Sequence, residues 1–113
     1  MSGSQISTHI LDTAAGHPAT GVAVVLEAQT EGTWAPMASG ITDENGRVTD
    51  LGPAEVAPGV YLLRFATGAY FQARSTATFF PEVSLTFTVA NSAEHYHVPL
   101  LISPFAYSTY RGN

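Results

Sequence analysis

Polar and apolar residues alternate along much of the chain with a period of two, which is the pattern of β-strands that bury one face. The alternation is cleanest at 83–89, where Val, Leu and Phe residues are separated by Ser and Thr. Segment 22–28 alternates as well, although Val25 falls on the opposite face and indicates burial on both sides. Four further strands are predicted at 6–11, 60–65, 96–102 and 105–110, and two shorter ones near 34–37 and 47–49.

Turn-forming residues lie between these segments, at Gly16-His17-Pro18, Glu31-Gly32, 43–46 and Ser103-Pro104. Only segment 70–74 could form a short helix. Seven or eight short strands at regular spacing, with one short helix, predict an all-β chain folded as an antiparallel β-sandwich. No repeat, linker or low-complexity tract interrupts the pattern, so residues 1–113 are expected to form a single domain.

The last two predicted strands give one explicit pairing. A hairpin that turns at Ser103-Pro104 puts Ile102 opposite Phe105 and His97 opposite Tyr110. Directly opposed residues share a face of the sheet, with Cβ atoms about 4.5–5.5 Å apart. The pairing therefore predicts a polar patch on one face of the hairpin, made of His97, Ser108 and Tyr110.

The amino-acid composition excludes some classes of binding partner. Charged residues are 12% of the 113 residues, and lysine is absent. This share is about half the usual 25% or so, which suggests that part of the surface is buried against other copies of the chain. A net charge of −5 argues against nucleic acid or an anionic membrane as the partner. Without cysteine there is no disulfide and no thiolate nucleophile. The N-terminal residues do not resemble a signal peptide, and a cytoplasmic location is expected.

The histidines and Arg47 are the candidates for chemistry. His9 alternates with apolar strand positions, and such a histidine, taken alone, is more often a surface or packing residue than a catalyst. His95-x-His97 places two imidazoles on one face of a strand, but a zinc site needs a third and usually a fourth ligand, so no metal is expected. His17 lies in a turn and is expected to be solvated. Arg47 enters a predicted strand directly after a tight turn, where its ordinary role is an exposed pair with an acid.

Several segments, taken together, resemble the 5-hydroxyisourate hydrolases, the transthyretin-related enzymes of urate breakdown. They are 7–12 (STHILD), 46–48 (GRV), 95–105 (HYHVPLLISPF) and 107–112 (YSTYRG). The Tyr-Arg-Gly ending distinguishes the hydrolases from the hormone carriers, whereas 33–40 (TWAPMASG) also resembles transthyretin itself. The similarity runs from about residue 6 to 112, and it departs from the family at Asn113, where the family usually has serine.

The resemblance implies a transthyretin-like (prealbumin-like) sandwich assembled as a homotetramer, with active sites in a channel at the dimer–dimer interface. It implies hydrolysis of a cyclic amide in 5-hydroxyisourate to 2-oxo-4-hydroxy-4-carboxy-5-ureidoimidazoline, without a cofactor. Carried over position by position, the catalytic residues are His9, Arg47 and His97. The substrate-binding residues are His9, Arg47, Ser108, Tyr110 and Arg111. Either His9 or His97 would activate water, and Arg47 would bind and polarise the substrate.

Two other classes of function stay open at this stage. The first is a non-catalytic carrier of small ligands like transthyretin, which the polar residues His9, Arg47 and His97 disfavour. The second is a structural or adhesion sandwich, for which a monomer with an inert face around His97 is expected.

Overall fold

The computed structural model describes residues 3–113, so Met1 and Ser2, part of the segment tested for a signal peptide, lie outside it. The predicted all-β fold with one short helix is confirmed. In chain order the elements are β1 (Ile6–Asp12), β2 (His17–Pro18), β3 (Ala23–Thr30), β4 (Thr33–Ile41), β5 (Gly59–Phe65), α1 (Thr67–Gln72), β6 (Val83–Val89), β7 (Tyr96–Ser103) and β8 (Ala106–Thr109). No helix in the described part of the chain is long and apolar enough to cross a bilayer.

The strands form two four-stranded sheets. The first sheet has the order β2-β1-β7-β8 and the second the order β4-β3-β5-β6. The inward residues of both sheets form one hydrophobic core, whose fully buried members include Ile10, Leu26, Leu63, Phe65 and Leu100. One pair departs from the predicted antiparallel pattern, because β1 and β7 run parallel. No hairpin joins these two strands, so alternation fixes their faces and leaves their relative direction free.

Three elements differ most from the prediction. The turn predicted at Gly16-His17-Pro18 ends at Gly16, because His17 and Pro18 pair with the end of β1 and form β2. The short strand expected at 34–37 is the nine-residue β4, which pairs with β3 through a register shift between Leu26 and Glu27. Pro36 is accommodated because β4 lies at the edge of its sheet, where a missing N–H costs no ladder bond. The helix begins at Thr67 rather than at Tyr70 and ends at Gln72.

The predicted register of the β7–β8 hairpin is wrong by two residues. Ile102 lies opposite Tyr107, and Ser103 lies opposite Ala106, so the turn residues are Pro104 and Phe105. The reason is the conformation of proline. Its fixed φ suits the first central position of a turn, whereas the predicted register had placed it at the second, where proline is disfavoured.

The shifted register changes which residue lies against His97. Gly112, and not Tyr110, is bridged to His97 across the hairpin. A shift of two residues keeps every side chain on its face, so Ser108 still shares the outer face of the first sheet with His97. β8 ends before it reaches Pro99, whose nitrogen has no hydrogen to donate to the neighbouring strand.

Candidate active site

The outer face of the β1–β7 pair carries the polar side chains of the candidate site. The parallel register sets Ser7 beside His97 and His9 beside Pro99. In both strands the intervening residues point into the core and are buried, whereas Ser7, His9 and His97 are half-buried. The period of two therefore brings both histidines to one surface, as the face assignments predicted.

The tight turn at 43–46 places Arg47 beside this surface. The Asp43 N–H donates to the Arg47 carbonyl (2.8 Å), and the Arg47 N–H donates back to the Asp43 carboxylate (3.0 Å). Gly46, with a φ of +75°, lies against the Ile10 carbonyl, where a Cβ would collide. Arg47 then makes a single antiparallel bridge with His9. The prediction of a strand at 47–49 is therefore wrong, because Arg47 alone of these three residues pairs with β1.

A serine hydroxyl lies between two imidazoles. Ser7 Oγ is 2.8 Å from His97 Nδ1 and 2.8 Å from His95 Nε2. His95 precedes β7 and is exposed, whereas His97 is half-buried. Within residues 3–113, no group of three or more His, Asp or Glu side chains is arranged to hold a metal ion. The His95-x-His97 pair is thus joined through a hydroxyl.

The surroundings of both site histidines favour their neutral forms. The pKa of His97 is lowered mainly by burial, and also by the positive charges of Arg47, His9 and His95. Burial and the Arg47 charge lower the pKa of His9 as well, although the Asn45 carbonyl and the Asp43 carboxylate partly oppose them. A neutral imidazole carries a lone pair, so each ring can accept a proton at neutral pH.

A small cavity opens on this face. It has a volume of about 270 Å³, and Ser7, Arg47 and His97 contribute to its lining, together with Gly3, Thr8, Val48 and Thr49. A cationic group and a neutral base thus border the same space. This combination can polarise a carbonyl group and activate a water molecule against it.

Arg111 is held by contacts within the chain. Its guanidinium donates to the Glu94 carboxylate (3.1 Å) and to the His95 carbonyl (3.2 Å). The same group stacks over the Tyr96 ring, with 4.3 Å between the guanidinium carbon and the ring centroid. These contacts anchor the C-terminal segment, and the predicted contact of Arg111 with substrate stays a prediction.

Tyr110 and Ser108 line cavities other than the one that Arg47 and His97 border. Tyr110 is 60% exposed and borders a second cavity of about 340 Å³, on the side of β6. Ser108 lies opposite Leu101, further along the outer face. Their roles as substrate contacts stay predictions. The residue that does pack on His97 is Gly112, whose N–H donates to the His97 carbonyl (2.8 Å).

Sequence reasoning missed Ser7 and Gly112. A signal for Ser7 was present, because it precedes His9 by two residues and so shares its face. Gly112 had no comparable signal, since its place depends on the hairpin register.

Comparisons with known proteins show the family to which this chain belongs. The sequence model of the HIUase/Transthyretin family matches residues 6–112. A 5-hydroxyisourate hydrolase from Salmonella typhimurium is 48% identical over 109 residues, covering 96% of this chain and 80% of the relative. The Mus musculus 5-hydroxyisourate hydrolase is 40% identical over 114 residues, covering 97% of this chain and 96% of the relative.

Solved structures of a 5-hydroxyisourate hydrolase and of a transthyretin share the fold. The Klebsiella pneumoniae 5-hydroxyisourate hydrolase superposes with a TM-score of 0.84 at 36% identity, covering 96% of this chain and 98% of that one. Sea bream transthyretin, solved with thyroxine, gives a TM-score of 0.91 at 32% identity, covering 96% and 94%. The resemblance found in the sequence is confirmed, and this chain belongs to the HIUase/Transthyretin family.

Proposed function

We propose that this chain hydrolyses 5-hydroxyisourate on the surface where His9, Arg47 and His97 meet. Relatives that are 40–48% identical over nearly the whole chain are 5-hydroxyisourate hydrolases. The observation that carries the assignment of the site is the convergence of one cation and two neutral imidazoles. Arg47 is bridged to His9, and its charge also lowers the pKa of His97.

The reaction opens a cyclic amide. Water adds to the ring carbonyl carbon while His97, which lines the cavity with Arg47, takes a proton from the water. The Arg47 guanidinium donates hydrogen bonds to the carbonyl oxygen and stabilises the negative charge that develops there. The ring C–N bond then breaks, and the departing nitrogen takes up the second proton of the attacking water. His9 holds the substrate beside Arg47. This chemistry uses water alone and needs no cofactor.

The carrier function is the alternative, and the polar surface disfavours it. Sea bream transthyretin has the same fold and is solved with thyroxine, so the fold alone does not separate a carrier from an enzyme. A hydrophobic ligand at this surface would strip water from Arg47 and two imidazoles without replacing their hydrogen bonds, which is costly. Hydrolysis uses all three groups.

We also infer a homotetramer in which a second copy covers the site. Several large apolar side chains are exposed on one chain, among them Ile41 (67%), Phe79 (71%) and Phe105 (67%). The low charge content of the chain fits their burial in an interface between copies. Light scattering measures the assembly directly, and a monomer with full activity would contradict this part of the proposal.

A coupled assay tests the function. Urate oxidase generates 5-hydroxyisourate in situ, and its decay is followed by absorbance with and without this protein. His9→Ala, Arg47→Ala and His97→Ala should each lower kcat/KM by about 10²-fold or more, the usual scale for losing a general base or an oxyanion donor. His17→Ala is the matched control, since His17 is exposed in β2, outside the lining of the cavity, and its ring contacts the Pro18 carbonyl. Wild-type rates in all three site variants would refute the site.

A further inference from the structure

The contact between Ser7 and two histidines is not used by the mechanism above. Its hydroxyl oxygen lies 2.8 Å from a nitrogen of His95 and 2.8 Å from a nitrogen of His97. A hydroxyl has one hydrogen and can accept as well as donate. Between two imidazoles it therefore donates to one ring and accepts from the other, which makes a directional chain of hydrogen bonds.

We propose that Ser7 positions His97 as the base and, with His95, conducts the released proton to solvent. This inference rests on the proposed hydrolase function. In the resting chain the His97 Nδ1–H donates to Ser7 Oγ, and the Ser7 hydroxyl donates to His95 Nε2. The lone pair of His97 is then on Nε2, the ring nitrogen that has no hydrogen-bond partner among residues 3–113.

The chemistry of the reaction requires a route for one proton. Opening an amide with water yields a carboxylic acid, which ionises at neutral pH, and a ureido nitrogen, which is too weakly basic to keep an extra proton. One proton is therefore released in each turnover. When His97 Nε2 holds it, the Nδ1 proton moves to Ser7, and the Ser7 proton moves to His95 Nε2. His95 then releases its Nδ1 proton to water, and exchange of the ring protons with water returns both imidazoles to their resting tautomers.

The exposure of the two rings fits this direction. His97 is half-buried in the cavity lining, whereas His95 is exposed. The charged and titratable groups that act on His97 are Arg47 from the turn after β4, His9 from β1 and His95 itself, and all three lower its pKa when they are positive. A proton on His97 is thus disfavoured and tends to leave along the chain. Around His95, Arg111 and Glu94 pair with each other.

The state of the His97 ring gives a test that does not depend on activity. Nitrogen-15 NMR of the imidazole distinguishes the Nδ1–H from the Nε2–H tautomer. We expect Nδ1–H in the wild type and in Ser7→Thr, which keeps the hydroxyl, and a shift toward Nε2–H in Ser7→Ala. An unchanged tautomer in Ser7→Ala would overturn the positioning role. This result can be read even if the chain does not hydrolyse 5-hydroxyisourate.

The kinetics test the proton route. Ser7→Ala should lower kcat by about 10- to 10²-fold, a loss that Ser7→Thr largely restores. His95→Ala should also lower kcat, and added imidazole buffer should recover several-fold of the loss, because it accepts the proton from Ser7. Ser39→Ala and His17→Ala, both at exposed residues away from the site, are the controls. Wild-type kcat in His95→Ala, or no response to imidazole, would overturn the relay while leaving the hydrolase assignment intact.

Discussion

Gly112→Ala tests how closely the C-terminal segment supports His97. A Cβ on Gly112 would lie 2.7 Å from His97 Cδ2 and 3.1 Å from Pro99 Cγ. Ordinary carbon contacts lie at about 3.5–4.0 Å, so the imidazole would have to retreat by roughly 0.8 Å. The Ser7 hydroxyl is hydrogen-bonded to Nδ1 of the His97 ring, and the Gly112 N–H donates a hydrogen bond to the His97 carbonyl. Neither the ring nor the backbone can move without losing a hydrogen bond.

The free energies of the two outcomes can be compared. Overpacking of this kind costs about 1–3 kcal/mol when the structure absorbs it. Detaching the tail instead loses one backbone hydrogen bond, worth about 0.5–1.5 kcal/mol. It also loses the exposed Arg111–Glu94 pair, about 0–1 kcal/mol, and the stacking on Tyr96, about 0.5–1 kcal/mol. The two costs are similar, so unfolding stability should fall by no more than about 3 kcal/mol.

Activity should respond much more strongly than stability. If the ring moves, the Ser7 bond to His97 is stretched, and if the tail detaches, Gly112 no longer supports the ring. We expect kcat/KM to fall by about 10-fold or more while the circular dichroism spectrum is unchanged. Gly59→Ala is the matched control, because a Cβ at Gly59 meets only a Tyr61 ring carbon at 4.0 Å. Wild-type kcat/KM in Gly112→Ala, with an unshifted His97 NMR signal, would refute the reasoning.

Three further predictions concern pH, the core and metal. Because burial and neighbouring positive charges lower the pKa values of His9 and His97 in the folded chain, the unfolded chain binds more protons below about pH 6.5, so stability in urea titrations should decline there as the pH falls. Initial rates should decline at a lower pH, where His97 becomes protonated in the folded chain. Tyr70→Phe should lower the free energy of unfolding by about 2–3 kcal/mol, measured by urea titration at fixed protein concentration. The substitution removes the hydroxyl that donates to the buried Asp12 carboxylate (2.7 Å), and burial together with this hydrogen bond raises the pKa of Tyr70 to about 12. An unchanged urea midpoint would contradict this prediction. Prolonged dialysis against a strong chelator should leave the hydrolysis rate unchanged, whereas a loss that zinc restores would show that the histidines bind metal.

The sequence predicted which face of a sheet each residue occupies better than it predicted which strands pair with each other. Alternation assigned His9 and His97 to outer surfaces correctly, because burial of every second residue is what the pattern records. It could not reveal that β1 and β7 are parallel neighbours, since direction depends on the path of the whole chain. The hairpin error has the same origin. Registers two residues apart bury the same side chains, and only the turn preference of Pro104 separates them.

The candidate site was predicted only in part, because the contacts between its residues also depend on how distant segments pair. The position of Arg47 was expected from the family resemblance, but its bridge to His9 depends on the turn that Asp43 and Gly46 form. The anchoring of Arg111 by Glu94 could not be derived, because the C-terminal segment after β8 has no regular period. Gly112 took the place predicted for Tyr110 once the register moved.

The parallel pairing of β1 with β7 also affects the order in which the fold forms. β1 is the first strand of the described chain, yet its main partner, β7, is the last but one. The strands of the second sheet all lie between them in sequence, so their pairings span shorter stretches of chain than the pairing of β1 with β7. Pairings between distant segments are slow to form, and unpaired strands are prone to aggregate. Ser7 and His9 therefore lack their neighbours on β7 until late in folding, and the proposed catalytic surface is among the last parts of the fold to form.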